Sequence, residues 1–270
     1  MNKKKRKLAI KKYTKNNWLH LDKPRVSPLN EIDFIKELYQ FHNAADQLSI
    51  AKREDFKSEW ESELYILVQW LKNYNKNFLD NLSSFLKLEE KGLDFNSIKF
   101  EDFKEEIESF IYEEGHIFNI RATMTRYRKL RLKWILMASH VTYNSSLPQR
   151  DKEILILRTA WLNRAEYEWN HHILVGRQAG LSNEEIEQIK LGPESQGWSH
   201  FDKILLSAVD ELYKNSILSD LTWKSLSEQY DINQLMDVVF VIGSYNMLAM
   251  FMNSFGLHTE DCVKRRLNES

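Results

Sequence analysis

Two glutamates and one histidine are spaced in this sequence so that they can meet on one helical hairpin. Glu153 lies in a first helical segment, and Glu168 and His172 lie in the next one. A histidine paired with a carboxylate exchanges protons near neutral pH, as general acid–base catalysis requires. These residues therefore suggest a proton-handling site, with His172 as the acid, Glu153 as the group that poises it, and Glu168 as the group that tunes or reloads it.

The position of the turn sets the register of this hairpin. Asn163 followed three residues later by Glu166 is the pattern of a helix N-cap with a capping box. The turn is therefore predicted at about Leu162–Arg164. Glu153 and His172 are equidistant from that turn, so the two side chains should lie level with each other in an antiparallel pair.

The surroundings of these residues are predicted to be apolar. The four aliphatic residues Ile154–Leu157 follow Glu153 and cover every side of a helix, which predicts burial on all faces. Glu168 precedes His172 by one helical turn on the same face. Three hypotheses fit the residues alone: an acid–base site, a buried Glu–His pair that fixes how two helices dock, and a divalent-metal site. The spacing matches neither the two-histidine zinc helix nor the diiron Glu-x-x-His pattern.

The composition predicts an all-α protein. Among 270 residues there are only eight glycines and four prolines, and apolar residues recur at helical spacing nearly throughout. A formal net charge of −1 gives no general attraction to nucleic acid. The single cysteine, Cys262, excludes an intrachain disulfide and suits a reducing compartment, so a cytoplasmic location is expected.

The basic segments of the chain and its most apolar stretch bear on targeting and partners. Residues 1–20 carry eight basic side chains and no acidic one, which predicts a solvated arm; a nucleic-acid or targeting role is the alternative. No segment has the pattern of a signal peptide. Polar residues interrupt the apolar stretch Leu235–Leu257, which favours a buried core helix over a membrane span. Arg121–Lys133 interleaves basic and aromatic residues, but the neutral charge balance makes nucleic-acid binding the weaker hypothesis.

Capping signals divide the second half of the chain into helices. Ser146, with Gln149 three residues later, predicts one helix start, and Ser182 with Glu185 predicts another. Gly256 is expected to end a long helix. Further helices are predicted over Ser199–Asn215, Leu221–Tyr230 and Ile232–Phe255.

Residues from about Phe118 to Leu257 resemble the carboxymuconolactone decarboxylase family, which is related to the alkylhydroperoxidase D (AhpD) proteins. The resemblance is carried by SSLPQRDKEILILRTAWL, EYEWNHH, GLSNEEI and DVVFVIGSYNMLAMFMNSFGL. It implies an AhpD-like helical domain over residues 116–261. Before it lie a basic arm with an extended lead-in (1–29) and a helical extension or insertion (30–115), and after it a short tail (262–270).

The peroxidase branch of that family uses a Glu, a Cys-x-x-Cys pair and a His. The Glu and His positions correspond to Glu153 and His172, whereas Ala165 and Glu168 stand at the cysteine positions. Without thiolates there is no disulfide to cycle, so a thiol peroxidase is disfavoured. What remains resembles the decarboxylase side, where a histidine and carboxylates handle protons with no metal and no organic cofactor.

The resemblance therefore implies a cofactor-independent lyase that decarboxylates or isomerises a small carboxylated or lactone-like metabolite. Tyr167 and Trp169 are candidates for lining the substrate pocket, and Arg158 for steering an anionic substrate; each also fits ordinary packing or a salt bridge. Family members usually form homo-oligomers, so a dimer, trimer or hexamer is expected. The alternative from another class is a catalytically silent, oligomeric binding protein with the same fold.

Overall fold

The computed structural model describes Trp18 and residues 23–25, 27–30, 32–33, 35–36, 39, 76, 79–107 and 119–269. Most of the basic arm and much of the predicted extension lie outside these residues. The chain divides into two compact units, Ser27–Leu136 and Met137–Ser270 together with Met1–Val26. Within the described ranges every regular element is a helix and there is no strand, so the predicted all-α fold class is confirmed.

The unit Ser27–Leu136 has a core of its own. Asn30 begins a helical turn, because its Oδ1 accepts the Asp33 N–H at 2.8 Å. A short 3-10 helix covers Phe100–Phe103, and helix α1 covers Asn119–Thr125. The buried side chains of this core are Ile35, Leu79, Leu82, Leu86, Leu88, Phe100, Ile107 and Ala122.

A run of helices builds the second unit. Its elements are α2 (Arg128–Ser139, which begins in the first unit), a π-helical turn (His140–Asn144), α3 (Gln149–Leu162), α4 (Glu166–Gln178), α5 (Asn183–Ile189), α6 (His200–Asn215), α7 (Asp220–Ser227), α8 (Ile232–Phe255) and α9 (Asp261–Glu269). Helix α3 packs against α4, α6 and α8. Its residues 152–161 are all buried, so the predicted burial of Ile154–Leu157 is confirmed.

The hairpin between α3 and α4 turns where predicted, but not through the predicted cap. Asn163 ends α3 instead of beginning α4, and its Nδ2–H donates to the Thr159 carbonyl at 2.9 Å. Ala165 precedes α4 and makes no side-chain cap. The capping box of Asn163 with Glu166 is therefore wrong. The physical reason is that the C-terminal carbonyls of α3, which lack partners within the helix, engage the asparagine amide.

The predicted cap at Ser146 is also wrong, because α3 begins only at Gln149, directly after Pro148, and Ser146 instead donates to a buried carboxylate of α8. The backbone N–H and the hydroxyl of Ser146 both donate to Oδ2 of Asp237, at 2.6 and 2.7 Å. Nε2 of His140 lies 2.6 Å from the other carboxylate oxygen. Burial alone would raise the pKa of Asp237, but the bonds from Ser146 and His140 outweigh it and lower that pKa.

Other predicted helix ends are confirmed. Ser182 and Glu185 form a reciprocal capping box at α5, and Ser199 caps α6. Helix α8 covers Ile232–Phe255 as predicted and ends at Gly256, whose φ of +68° is readily adopted by glycine.

Helix α8 has one buried and one exposed apolar face. By length and composition it could cross a membrane, and half of its most apolar window is buried inside the fold. The exposed face carries Ile232, Met236, Val239, Phe240, Met247 and Met250. These residues recur at helical spacing, so they form a continuous uncharged stripe along the helix.

Candidate active site

Glu153 on α3 and His172 on α4 are in direct hydrogen-bond contact. Nδ1 of His172 lies 2.7 Å from Oε2 of Glu153. The level placement predicted from the hairpin is therefore confirmed. Because a carboxylate can only accept, we assign the ring proton to Nδ1, which donates to Glu153. Nε2 is then the ring nitrogen available for proton exchange with a ligand.

The two partners differ in their access to solvent. The side chain of Glu153 is 2% exposed and that of His172 is 15% exposed. Gln149, one turn earlier on α3, donates its Nε2–H to the other oxygen of Glu153 at 3.2 Å. The carboxylate is thus enclosed and held on both oxygens, while the imidazole keeps an open edge.

A glycine on α4 permits the close approach of the two helices beside this contact. A Cβ atom added to Gly176 would lie 3.2 Å from Cδ1 of Leu157 and 4.0 Å from Cβ of Glu153. A larger side chain at this position would push α4 away from α3. Gly176 therefore helps to keep His172 within hydrogen-bonding distance of Glu153.

Glu168 is buried on α4 but does not pair with His172. The residue is 3% exposed, and its Oε2 has no hydrogen-bond partner. No hydrogen bond joins Glu168 to His172, although both lie on one face of α4. Burial, and then the nearby Glu153 carboxylate, raise the pKa of Glu168 well above its usual value. Both effects favour the protonated, uncharged form.

Tyr245 of α8 packs against the His172 ring. Its ring meets that of His172 edge-on, with centroids 5.0 Å apart and an interplanar angle of 85°. Burial, followed by the nearby Glu153 and Glu168, raises the pKa of Tyr245 well above its usual value, and a hydrogen bond with Thr142 acts in the opposite direction. Tyr245 was not predicted from the sequence. The available signal was a single tyrosine in the long, mostly apolar helix α8.

The π-helical turn His140–Asn144 brings Thr142 to the same region. Lys152, the residue before Glu153, is buried and donates its Nζ–H to the Thr142 carbonyl at 2.7 Å. Burial lowers the pKa of Lys152, and the negative charges of Glu153 and Asp237 partly oppose this. π-Helical turns occur frequently at functional sites, where they reposition side chains. Lys152 was a second residue that the sequence pattern did not mark.

Tyr167, a predicted substrate-binding residue, belongs to another cluster. Its hydroxyl donates to Oε1 of Glu260 at 2.7 Å, and its ring stacks on His171 with centroids 4.5 Å apart. Nε2 of His171 lies 2.7 Å from the second oxygen of Glu260. This cluster connects α4 to the segment that leads into α9.

Trp169 and Arg158, the other two predicted substrate-binding residues, make structural contacts. Trp169 packs against the rings of Trp18 and Trp161. Arg158 is buried and forms a two-pronged ion pair with Asp210, at 2.6 and 2.9 Å. Its remaining terminal nitrogen donates to the carbonyls of residues 189 and 190. The geometry gives no support to a substrate-binding role for either residue, or for Tyr167.

Two further features of the described residues bear on metal and thiol chemistry. No group of three or more His, Cys, Asp or Glu side chains there is placed to hold a metal ion. Cys262 is buried on α9. Burial, and then Glu260, raise the pKa of its thiol, which disfavours the reactive thiolate.

Comparison with known proteins identifies related sequences and folds. Residues 130–192, which include Glu153, Glu168 and His172, match the model of the Carboxymuconolactone decarboxylase family. A peroxidase-related protein from Silicibacter sp. TM1040 is 13% identical, with a TM-score of 0.51 over 59% of this chain and 86% of its own. An AhpD-core, peroxidase-related protein from Ralstonia eutropha JMP134 is 13% identical, with a TM-score of 0.51 over 60% and 87%. No curated protein matches this chain.

The substitution Glu168→Gln is expected to raise the free energy of unfolding at about pH 7 by roughly 1 kcal/mol or more. The folded chain keeps the Glu168 proton at pH values where the unfolded chain releases it. Wild-type stability therefore falls as the pH rises above the ordinary carboxyl pKa of about 4.3. The stability gain of the variant should vanish below that pH, where both the folded and the unfolded chain hold the proton.

Denaturant unfolding across this pH range measures the effect. Glu184→Gln is the matched control, because Glu184 is exposed in the first turn of α5, and it should change stability by less than about 0.5 kcal/mol. A Glu168→Gln variant that is no more stable than wild type at neutral pH would contradict the expected protonation.

Proposed function

The chain belongs to the carboxymuconolactone decarboxylase and AhpD-like superfamily, and we propose that it is a cofactor-independent acid–base enzyme. Its substrate is a small carboxylated or lactone-like molecule, which it decarboxylates or isomerises. The observation that carries the proposal is the 2.7 Å contact between His172 and the enclosed Glu153. This contact orients an imidazole whose other nitrogen can meet a ligand.

The pair can supply the proton that a decarboxylation consumes. When carbon dioxide leaves, its bonding electron pair stays on the substrate as a carbanion or enolate. Nε2–H of protonated His172 donates its proton to that carbon, and the ring becomes neutral while Nδ1–H still donates to Glu153. A solvent proton then reloads Nε2 through the open edge of the ring. In an isomerisation, the same nitrogen removes a proton from one carbon and returns it to another.

A thiol-peroxidase cycle does not fit these residues. That cycle oxidises two thiols to a disulfide, and this chain has one cysteine. Ala165 and Glu168 stand where the peroxidase branch has its cysteines. The single, protonated Cys262 also suits a reducing compartment, so the cytoplasm is the proposed location.

The test is a mass-spectrometric screen of small carboxylic acids and lactones for loss of carbon dioxide or for a shifted double bond. With the substrate so identified, His172→Asn should lower kcat about 10²- to 10⁴-fold, the usual effect of removing a general acid. Glu153→Gln should lower kcat less, because it leaves the imidazole in place but weakens its orientation.

The control variant is His200→Asn, which changes an exposed histidine at the start of α6 and should leave turnover unchanged. Circular dichroism shows whether each variant is folded. A folded His172→Asn variant with wild-type turnover would contradict the proposed mechanism. A wild-type protein that converts none of the screened compounds would favour the silent binding protein.

We also propose that the protein forms a homo-oligomer. The uncharged, exposed stripe of α8 supports this, since extended apolar patches commonly mark protein contacts. Light scattering should give a multiple of the chain mass, and Met247→Glu in the middle of the stripe should reduce it. A wild-type mass of one chain at micromolar concentration would contradict the proposal.

A further inference from the structure

The carboxyl group of Glu168 is an unsatisfied polar group in a buried layer. Its Oε2 is enclosed and has no hydrogen-bond partner, whereas Glu153 is held on both oxygens. Nearly all buried polar atoms in folded proteins are paired, because an unpaired one loses its hydration without compensation. Glu168 therefore needs an explanation that the fold itself does not provide.

We propose that Glu168 is a neutral hydrogen-bond donor that binds an acceptor oxygen of the substrate, one helical turn from His172. This inference rests on the proposed function, since it places the oxygen beside the carbon that His172 protonates. It assigns Glu168 a contact with the substrate in place of the predicted role of reloading His172. It also narrows the substrate to a molecule with a carbonyl or carboxylate oxygen close to the reacting carbon.

The charges around Glu168 favour its neutral form. Glu153 is a second carboxylate close enough to act on it electrostatically, and the His172 imidazole is already hydrogen-bonded to Glu153. Tyr245, the other titratable group that senses Glu168, also keeps its proton. An ionised Glu168 would be a second buried anion without a cation of its own, which is costly in an apolar interior.

A protonated carboxyl carries one O–H donor, and that donor needs an acceptor. Glu168 and His172 are four residues apart on α4, so their side chains leave the helix on the same face. No hydrogen bond fixes Oε2, so the carboxyl group can rotate when a ligand enters. A substrate oxygen that reaches the open edge of His172 is then within a helical turn of the donor.

This placement has a chemical consequence for the reaction. If the carbonyl is conjugated to the carbon that loses carbon dioxide, negative charge develops on its oxygen as the enolate forms. A neutral acid held in a low-dielectric site stabilises such a charge by hydrogen bonding. The substrate class that fits is therefore a β-oxo acid, because loss of its carbon dioxide leaves an enolate that includes the carbonyl oxygen.

Infrared difference spectroscopy tests the protonation state without any substrate. Wild-type protein minus Glu168→Gln at about pH 7 should show the carbonyl stretch of a protonated carboxyl, because burial and Glu153 keep the proton on Glu168. Absence of that band would overturn the proposal.

Binding is tested with levulinate, a stable keto acid that offers both a ketone and a carboxylate oxygen. Levulinate should shift the protonated-carboxyl band in the wild type. Its Kd should rise at least about tenfold in Glu168→Met, which has no donor, and change less than about threefold in Glu168→Gln, which keeps an N–H donor. Wild-type affinity for levulinate in folded Glu168→Met would overturn the proposal, and so would an equal loss of affinity in both variants. A protonated-carboxyl band that levulinate does not shift would also overturn it.

These readouts are independent of turnover. Failure of His172→Asn to impair catalysis would defeat the proposed function and leave the levulinate result intact. Conversely, if His172→Asn loses catalysis as expected but the Glu168 variants bind levulinate like the wild type, only the present inference is defeated. If Glu168→Met does not fold, the band shift in the wild type and the affinity of Glu168→Gln still decide the outcome.

Discussion

The hydrogen bond between Glu153 and His172 is the interaction on which the arrangement of this site depends. It joins α3, whose middle is buried on all sides, to α4, and it is possible because Gly176 lets the helices approach. An imidazole alone in such a layer would be free to turn. Held by an enclosed carboxylate, it presents one nitrogen in a constant direction, as acid–base chemistry demands.

Several buried charged groups of this unit are paired with residues distant in sequence. Asp237 of α8 binds the turn before α3, and Arg158 of α3 binds Asp210 of α6. Such pairs specify how helices dock, because removing either partner leaves an unpaired buried group. Glu168 differs from these charged residues, because its buried Oε2 has no hydrogen-bond partner.

Local signals in the sequence predicted much of the fold. The Ser182 cap, the helix that ends at Asn215 and the full length of α8 followed from short patterns. The equidistance of Glu153 and His172 from their turn predicted their contact. The caps at Asn163 and Ser146 were wrong for a different reason. The α3 C-terminus engages Asn163, and Asp237, 91 residues away from Ser146, takes the donors of that serine.

The residues that surround Glu153 and His172 were harder to predict than the contact between those two. Tyr245 follows His172 by 73 residues in the chain, and no periodicity within α8 shows which face of the helix lies toward the site. Arg158, Tyr167 and Trp169 remain predictions as substrate-binding residues. They lie close to the site in sequence, yet Asp210, Glu260 and a cluster of tryptophan rings hold them. Proximity along a helix does not determine the direction of a side chain.

The most direct measurement is the tautomer of the neutral His172 ring, observed by ¹⁵N NMR at alkaline pH. We expect the proton on Nδ1 in the wild type, since only that form donates to the Glu153 carboxylate, and a shift toward Nε2–H in Glu153→Ala. The ring of His200, which is exposed, provides the internal control. A wild-type ring protonated on Nε2, and unchanged by Glu153→Ala, would show that Glu153 does not orient the imidazole.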